Sequence, residues 1–288
     1  MDAIKEKWEY GDNRRVWVGK YLNSSNELHW HDDCELIYIE QGEMHVFFDG
    51  NTYTLKRGNA MFLDSRRLHR IATADETTLL QVVVFDRRII AEFASELTLA
   101  NPVIEDGSKV TEAYSAILTE FRQKHPMYKS MTESLVHRLM VDIFREHETT
   151  EKRPLGVTSE TLKKLIAEIK ANYEWYTLSD AANFMGMNEN YFSQYFYKKT
   201  NSHFTHFINC VRVEKAVELL AKHEHTMAEI AVRCGFGTIR SFNNVFRKIT
   251  GYTPSKLPAN YVFAVPTDDG DTDIKPMLLD VHLIESSS

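Results

Sequence analysis

Two groups of side chains in this sequence have the types and spacing to do chemistry. His29, His31 and Glu35 lie close together in the chain, and His69 follows after a second polar stretch. Three imidazoles and one carboxylate form a ligand set that a first-row divalent metal accepts. The second group consists of amide, hydroxyl and guanidinium side chains between residues 190 and 248. Such side chains can form hydrogen bonds with base edges in the major groove of DNA.

The second group lies on two copies of one pattern near the C-terminus. Residues 177–201 and 226–251 match at an offset of 49 residues in their first halves and 50 in their second halves. Each copy opens on Thr-x-x-Asp or Thr-x-x-Glu, which is typical of a helix capping box. Each then has a glycine where a turn needs left-handed backbone. The repeat therefore predicts two helix-turn-helix units joined by a helix of about twenty residues.

The second helix of each unit is predicted to have a buried face and an outward face. Phe192 and Phe196 in the first copy match Phe242 and Phe246 in the second, at the spacing of a helix core. The outward faces carry Asn190, Ser193, Gln194, Tyr197, Thr238, Ile239, Arg240, Ser241, Asn244 and Arg247. The basic residues near the helix ends, Lys198, Arg247 and Lys248, are predicted to contact phosphates, and we expect Tyr197 and Thr238 to join them.

Charge is distributed unevenly along the chain. The net charge of the 288 residues is −7, but residues 155–257 hold 13 basic against 9 acidic side chains. A basic segment that coincides with the repeat is where a phosphate-binding surface is expected. The first 154 residues carry −6 and the last 31 carry −5. Double-stranded DNA is the partner that this distribution favours.

The remaining composition excludes several classes of protein. Hydrophobic residues make up 43% of the chain, and no apolar run approaches the length of a membrane span. Three widely spaced cysteines give neither a disulfide framework nor a Cys-x-x-Cys site, so we expect a cytoplasmic protein without a membrane partner.

The elements that must position these groups change character along the chain. Residues 14–86 contain short runs rich in β-branched and aromatic residues, with an Asp-Gly hairpin signal, which predicts a small barrel or sandwich. Residues 109–148 have helical periodicity, with a capping box expected at Ser130-x-x-Glu133. The two helices could pack on the barrel or on a second subunit, and both alternatives remain open. If the helices pack on a second subunit, the protein is a homodimer.

The predicted organisation is an α+β chain. Residues 1–148 form an effector-binding and dimerisation domain, residues 149–158 a linker, residues 159–257 an all-α DNA-binding domain, and residues 258–288 an acidic tail. Within that tail, residues 276–285 read either as one strand or as extended chain.

The repeat resembles the signature of AraC/XylS-type transcriptional regulators. The resemblance covers about 100 residues and rests on residues 235–257 with the upstream IAVRCGF and VRVEKAVELL segments. It implies a DNA-binding domain of two helix-turn-helix units and promoter-specific regulation, most often activation, with RNA polymerase as a further partner. By matching positions it implies base contacts by Asn190, Ser193, Gln194, Ile239, Arg240, Ser241 and Asn244. Asn201 departs from the glycine common in the family, but asparagine tolerates left-handed backbone.

Residues 14–86 resemble a cupin, a small double-stranded β-barrel. His29-x-His31-x3-Glu35-x6-Gly42 is similar to the first cupin motif, and the segment from Gly58 to His69 is similar to the second. AraC-type regulators often carry such a barrel as a sensor. The resemblance implies a pocket for a small polar effector, such as a sugar, lined by His29, His31, Glu35, Tyr38 and His69. Metal binding by His29, His31, Glu35 and His69 is the alternative role, and no obligatory cofactor is predicted.

The sequence as a whole predicts a ligand-responsive transcription factor that is not an enzyme. The competing hypothesis is a metal-dependent cupin enzyme with an attached helical domain, in which the histidines and Glu35 leave an open coordination position. A third hypothesis, a protein-interaction module with degenerate helix-turn-helix units, fits poorly with two intact polar faces.

Overall fold

The computed structural model describes residue 10 and residues 13–26, 28–74, 77–152, 157–258, 261 and 282–286. These residues divide into two compact units, with the boundary between residues 154 and 155. The strand at 282–286 belongs to the first unit. We call the first the barrel unit and the second the helical unit.

The barrel unit is built from antiparallel strands in two facing sheets and a short ribbon. Its strands are β1 (Val16–Leu22), β2 (Cys34–Gln41), β3 (Glu43–Phe48), β4 (Asn51–Lys56), β5 (Ala60–Leu63), β6 (His69–Thr73), β7 (Leu79–Phe85), β8 (Leu97–Leu99), β9 (Val103–Ile104), β10 (Thr149–Glu151) and β11 (His282–Ser286). One sheet has the order β11-β1-β7-β2-β5-β9, a second has β4-β3-β6, and β10 pairs with β8. The hairpin between β3 and β4 turns at Asp49 and Gly50, both at positive φ, as its Asp-Gly sequence predicts.

Two apolar cores lie on opposite faces of the six-stranded sheet. Ile37 and Ile39 of β2 face the interior between the two sheets, whereas Cys34 and Leu36 face the other way. Successive side chains of a strand alternate between faces, so one strand supplies both cores. Strand β7 is apolar almost throughout because both of its faces are covered.

Helices cover the outer face of this sheet. They are α1 (Ala91–Ala94), which follows a 3-10 turn at Arg87–Ile90, α2 (Ser108–Gln123) and α3 (Tyr128–Glu146). The buried stripes of α2 and α3, including Tyr114 and Leu139, pack into the same core as Leu36 and Phe62. Of the two alternatives for these helices, the structure shows packing on the barrel of the same chain.

The start of α3 differs from the prediction. The expected capping box at Ser130 and Glu133 is wrong, because α3 begins at Tyr128 and Ser130 lies inside it. Met127 is the N-terminal cap residue, at φ +67°, and its side chain makes no capping hydrogen bond. The chain turns sharply after Pro126, so the helix starts as soon as the backbone permits and not at the residue best suited to cap it.

The segments at either side of the helical unit also differ from the prediction. Residues 149–151 of the predicted linker form strand β10, paired with β8, and the next helix already begins at Val157. Residues 153–156 lie outside the described residues. In the predicted tail, His282–Ser286 form strand β11 on the edge of β1.

The helical unit consists of six helices and one 3-10 turn within residues 157–258. The helices are α4 (Val157–Ala171), α5 (Leu178–Phe184), α6 (Glu189–Thr200), α7 (Phe204–Lys222), α8 (Met227–Arg233) and α9 (Ile239–Thr250), and the 3-10 turn is Pro254–Lys256. Helices α5 and α6 form the first helix-turn-helix unit, and α8 and α9 form the second. A barrel with following helices and an all-α domain confirm the predicted fold class.

Candidate functional site

Both helix-turn-helix units begin and turn as their sequences predict. Thr177 with Asp180 and Thr226 with Glu229 form complete capping boxes, in which each side chain bonds the other residue's backbone N–H. The turns pass through Gly186 at φ +65° and Gly235 at φ +74°. These conformations are open to glycine at little cost.

The second helix of each unit is held by an aromatic core. Asn188 caps α6 by accepting a hydrogen bond from the backbone N–H of Tyr191, and Thr238 caps α9 in the same way through Ser241. Phe192 and Phe196 are fully buried in the first unit, and their counterparts Phe242 and Phe246 are fully buried in the second. One face of each helix is thereby fixed against the core, so the opposite face must point outward.

The residues predicted to contact DNA lie on these outward faces. All of them are exposed except Ser193, which is half-buried. At an offset of 50, Asn190 and Gln194 of α6 occupy the positions of Arg240 and Asn244 of α9. Each such pair is spaced i, i+4 and therefore shares one helix face.

Matching the two helices also shows a position that sequence reasoning missed. Tyr191, whose exposed fraction is 57%, occupies in α6 the position of the predicted contact Ser241 in α9. The offset of 50 was the signal that could have found it. Asn243, half-buried in α9, likewise matches Ser193.

Helix α7 and the turn at residues 173–176 join the two helix-turn-helix units. Helix α7 supplies Phe204 to the first aromatic core and Val213 to the second. The Arg212 guanidinium donates to the backbone oxygens of Tyr173 at 2.9 Å and of Glu174 and Tyr176 at 3.4 Å. Arg212 therefore binds three backbone carbonyls of the turn at residues 173–176.

The same turn lies against the second helix-turn-helix unit. A Cβ atom built on Gly235 would come within 2.1 Å of the Glu174 backbone oxygen. The turn at 173–176 is thus held between Arg212 of α7 and Gly235. The turn, which precedes α5 of the first helix-turn-helix unit, therefore lies directly against the second unit.

In the barrel unit, the four predicted metal or effector ligands come together. His29, His31 and His69 are buried, and their ligand atoms lie within 4.8 Å of one another. Glu35 Oε2 lies 3.2 Å from His31 Nε2 and 3.5 Å from His69 Nε2. We call these four residues the histidine cluster.

Hydrogen bonds fix the orientation of two of the rings. Nδ1 of His31 lies 3.0 Å from the Asp33 backbone oxygen, and Nδ1 of His69 lies 2.9 Å from that of Arg67. Only a protonated Nδ1 can donate to a carbonyl, so in the neutral form of either ring Nε2 carries the lone pair that a cation could bind. Burial and the neighbouring His29 lower the pKa of His69 to about 4, which keeps that ring neutral near neutral pH.

This arrangement fits a cation. Among the described residues, His69 Nε2 has no hydrogen-bond partner although it is buried. Imidazoles whose second nitrogen donates to a backbone carbonyl are characteristic of metal ligands, and two such rings with a third imidazole and a carboxylate suit a first-row divalent ion. The rings are too close together to surround a sugar, with centroids 4.1 Å apart for His29 and His69.

Tyr38, the fifth residue predicted for the effector pocket, does not join the cluster. It packs against the helix-covered core, beside Gly107. Residues 35 and 38 are an odd number of positions apart on β2, so their side chains face opposite sides of the sheet. Tyr38 therefore lies apart from the other four residues predicted for the effector pocket.

Comparison with known proteins agrees with both units. A helix-turn-helix domain family matches residues 181–259, and a cupin domain family matches residues 23–85. The HTH-type transcriptional activator RhaR of Shigella flexneri is 25% identical over 272 residues, which cover 89% of this chain and 95% of that protein. RhaR of Escherichia coli K12 is 24% identical over 270 residues, with the same coverage.

Solved structures also resemble this chain. Wild-type ToxT of Vibrio cholerae, crystallised with a bound unsaturated fatty acid, is 14% identical with a TM-score of 0.41, covering 86% of this chain and 96% of that one. The DNA-binding domain of AdpA in complex with a target DNA is 25% identical with a TM-score of 0.32, covering 33% of this chain and 86% of that one. Within the described part of the chain, none of the helices combines the length and apolar character needed to cross a membrane.

Proposed function

Because this chain belongs to the AraC-type transcriptional regulators, we propose that it reads one asymmetric duplex site with two unlike helices and that a small molecule controls this binding. Its relatives are named as regulators and not as enzymes, so the metal-dependent enzyme considered from the sequence is set aside. Double-stranded DNA is its partner through the helix-turn-helix domain.

The difference between the two outward faces carries the proposal of an asymmetric site. Helix α6 presents Asn190 and Gln194, whereas α9 presents Arg240 and Asn244 at the matched positions. Asparagine and glutamine pair best with adenine, and arginine pairs best with guanine. The two helix-turn-helix units thus have matching cores but different side chains facing DNA, so the half-sites should differ in sequence.

The spacing of the half-sites follows from the connecting helix. Helix α7 has 19 residues and a length of about 28 Å. Successive major-groove faces of B-DNA are about 34 Å apart on one side of the duplex. We therefore expect the two helices to enter adjacent major grooves, about one helical turn apart.

The basic side chains of the two helices predict that the half-site bound by α9 contributes more of the DNA-binding affinity. Helix α9 carries Arg240, Arg247 and Lys248, whereas the two lysines of α6 are partly offset by Glu189. Each basic side chain that neutralises a phosphate releases counterions and so adds salt-dependent affinity. The α9 half-site should therefore show the steeper dependence on salt.

The remaining parts of the proposal concern assembly and regulation. Activation is assigned because the relatives are named activators, and an activator of this kind would act with RNA polymerase. A homodimer would use the outward side of α3, where Met127 and Met131 are 76% and 49% exposed. A regulator of promoter DNA would act in the cytoplasm, where its three cysteines, none of which forms a disulfide, would stay reduced.

The histidine cluster is proposed as a structural cation site within the barrel. His29, His31, His69 and Glu35 would hold one divalent ion, which would supply the positive charge that the carboxylate and the Nε2 lone pairs face. Its role would be to tie the His29–His31 segment to the start of β6. Metal analysis of the purified protein, alongside duplex binding before and after chelation, measures this directly.

The DNA-reading proposal is tested by one pair of substitutions on α9. The cognate site is first selected from random duplexes, and affinity is then measured by fluorescence anisotropy at several salt concentrations. Arg240→Ala should weaken the cognate site by about 1–3 kcal/mol and relax discrimination at one base pair. Lys248→Ala should weaken all duplexes similarly and reduce the salt slope by about 1. If Arg240→Ala weakens cognate and random duplexes equally, the assignment of Arg240 to base reading is refuted.

A further inference from the structure

The C-terminal strand covers an edge of the barrel unit. Strand β11 (His282–Ser286) is outermost in the six-stranded sheet, beside β1. Among the described residues, its register with β1 runs from Gly19 to Leu22 and shifts between Lys20 and Tyr21. On its other side, β1 pairs with β7 over all seven of its residues. The edge of β1 is thus closed by a short strand in irregular register.

Strand β11 is held weakly at its centre. The Ile284 side chain is 52% exposed, so it adds little buried apolar surface. A register shift leaves a residue outside the regular pairing and interrupts the ladder of hydrogen bonds. Chain ends with few buried contacts open at a low free energy. We therefore expect β11 to leave β1 without unfolding of the strands behind it.

The edge that β11 covers has a self-complementary sequence. Strand β1 reads VWVGKYL, and Gly19 is its midpoint. Two copies of β1 related by a two-fold axis through Gly19 would pair antiparallel over all seven residues. In that register Trp17 lies opposite Tyr21 of the second copy, and Val16 lies opposite Leu22. Aromatic and apolar pairs placed directly opposite each other stabilise an antiparallel ladder.

This register also preserves the faces of the sheet. Trp17 and Tyr21 pack on the core between the two sheets, whereas Val16 and Val18 pack on the helix-covered core. Residues that lie opposite each other in an antiparallel pair project from the same face. A second copy would therefore continue each face of the sheet with side chains of the same environment.

Charge at this edge does not oppose self-pairing. Lys20 is the single charged residue of β1, and in the two-fold register it lies opposite Val18 and not opposite a second lysine. Its ammonium group lies 2.7 Å from a carboxylate oxygen of Glu40. Lysine and proline are residues that protect free edges from pairing, but this lysine has a counter-charge and β1 contains no proline. Protection therefore falls to β11.

From these features we propose that the edge of β1 is a self-association surface, that its partner is β1 of a second copy of this chain, and that the C-terminal strand keeps it covered. Both partners need the same backbone N–H and C=O groups, so they exclude each other. Strand β11 is attached to the same chain through residues 258–281, which favours it as an intramolecular partner. This surface is separate from the outward side of α3 and does not depend on DNA reading.

Self-association is measured by sedimentation velocity over a range of concentrations with two C-terminal truncations. Removing residues 282–288 deletes β11, whereas removing residues 287–288 keeps it and is the matched control. The chain without β11 should self-associate with a dissociation constant at least about tenfold lower than the control, because an open edge replaces a covered one. Its mass should double and not grow further, since each chain opens one edge. Equal dissociation constants, or unlimited aggregation, would overturn the proposal.

The register is tested by disulfide formation between chains that lack residues 282–288. Chains with Val18→Cys and chains with Lys20→Cys carry thiols that lie directly opposite in the proposed pairing, at a separation that a disulfide spans. Mixed and oxidised, they should form a covalent dimer on a non-reducing gel at least about tenfold faster than chains with Lys20→Cys mixed with chains with Leu22→Cys, whose thiols are about 13 Å apart. The three native cysteines are buried. Equal rates for the two mixtures, or no crosslinking, would show that β1 does not pair in this way.

The covering role of β11 is tested in the full chain. Leu22 and His282 lie opposite each other in the β1–β11 register, so Leu22→Cys with His282→Cys should form a disulfide within one chain. The locked chain should self-associate no more than the control truncation. A disulfide between two chains would mean that copies exchange β11, and absence of any disulfide would mean that β11 does not lie on β1. Either result refutes the covering role, and neither bears on DNA reading.

Discussion

Replacing Gly235 with alanine tests how the two helix-turn-helix units are joined, and Gly186 provides a matched control. Both glycines lie at the turn of their unit with positive φ, +74° and +65°. A Cβ on Gly186 would meet nothing within 4 Å, whereas a Cβ on Gly235 would lie 2.1 Å from the Glu174 backbone oxygen. The two substitutions therefore share a conformational cost and differ in one contact.

The expected magnitudes follow from these contacts. Left-handed backbone costs a non-glycine residue about 1–2 kcal/mol, which is the whole cost for Gly186→Ala. In Gly235→Ala the Glu174 backbone must move by about 0.9 Å to restore a separation of 3.0 Å. That movement strains the carbonyls bound by Arg212, and a hydrogen bond to a charged group contributes about 1.5–3 kcal/mol. We therefore expect Gly235→Ala to cost about 3–5 kcal/mol.

Hydrogen exchange read by mass spectrometry on the full chain gives the local free energy of opening for each unit. Gly186→Ala should lower protection of α5 and α6 modestly. Gly235→Ala should lower protection of α8 and α9 more strongly and extend to the turn at 173–176. If the two variants cost the same within about 0.5 kcal/mol, the turn does not couple the units and the reasoning is refuted.

Three further predictions concern the same helices and the cysteines. Thr226→Ala removes a capping box and should destabilise α8 by about 0.5–2 kcal/mol by hydrogen exchange, and an unchanged α8 would show that the box is dispensable. Phe242→Ala should cost about 3–5 kcal/mol and abolish selective duplex binding while the barrel unit stays folded by circular dichroism and proteolysis. Burial raises the pKa of the Cys234 thiol to about 12, and Cys34 and Cys210 are also buried. A thiol reagent at pH 8 should therefore label none of the three before unfolding, and rapid native labelling would contradict this burial.

Much of the helical unit could be predicted because its signals are local. A capping box needs only two residues three positions apart, and a left-handed turn needs one glycine or asparagine. Asn201 ends α6 at φ +50°, as its tolerance of that conformation predicted. The buried phenylalanines follow from helical period alone. These features depend on neighbours within about one turn of helix.

The barrel unit was predicted less completely for two different reasons. The position of Tyr38 could have been predicted, since strand alternation alone places residues 35 and 38 on opposite faces of the sheet. The start of α3 could not have been predicted in this way, because the chain turn at Met127 decides where the helix begins. The geometry of the preceding loop, and not the Ser-x-x-Glu pattern, therefore sets the start of α3.

The sequence by itself determined the two repeated units, the polar faces of α6 and α9, and the residues of the histidine cluster. Only the tertiary structure decided that Lys152 meets Asp64, 88 residues earlier, that β10 pairs with β8, and that β11 returns to β1. The physical reason is that local propensity is set by nearby residues, whereas contacts across long separations depend on how every intervening element packs.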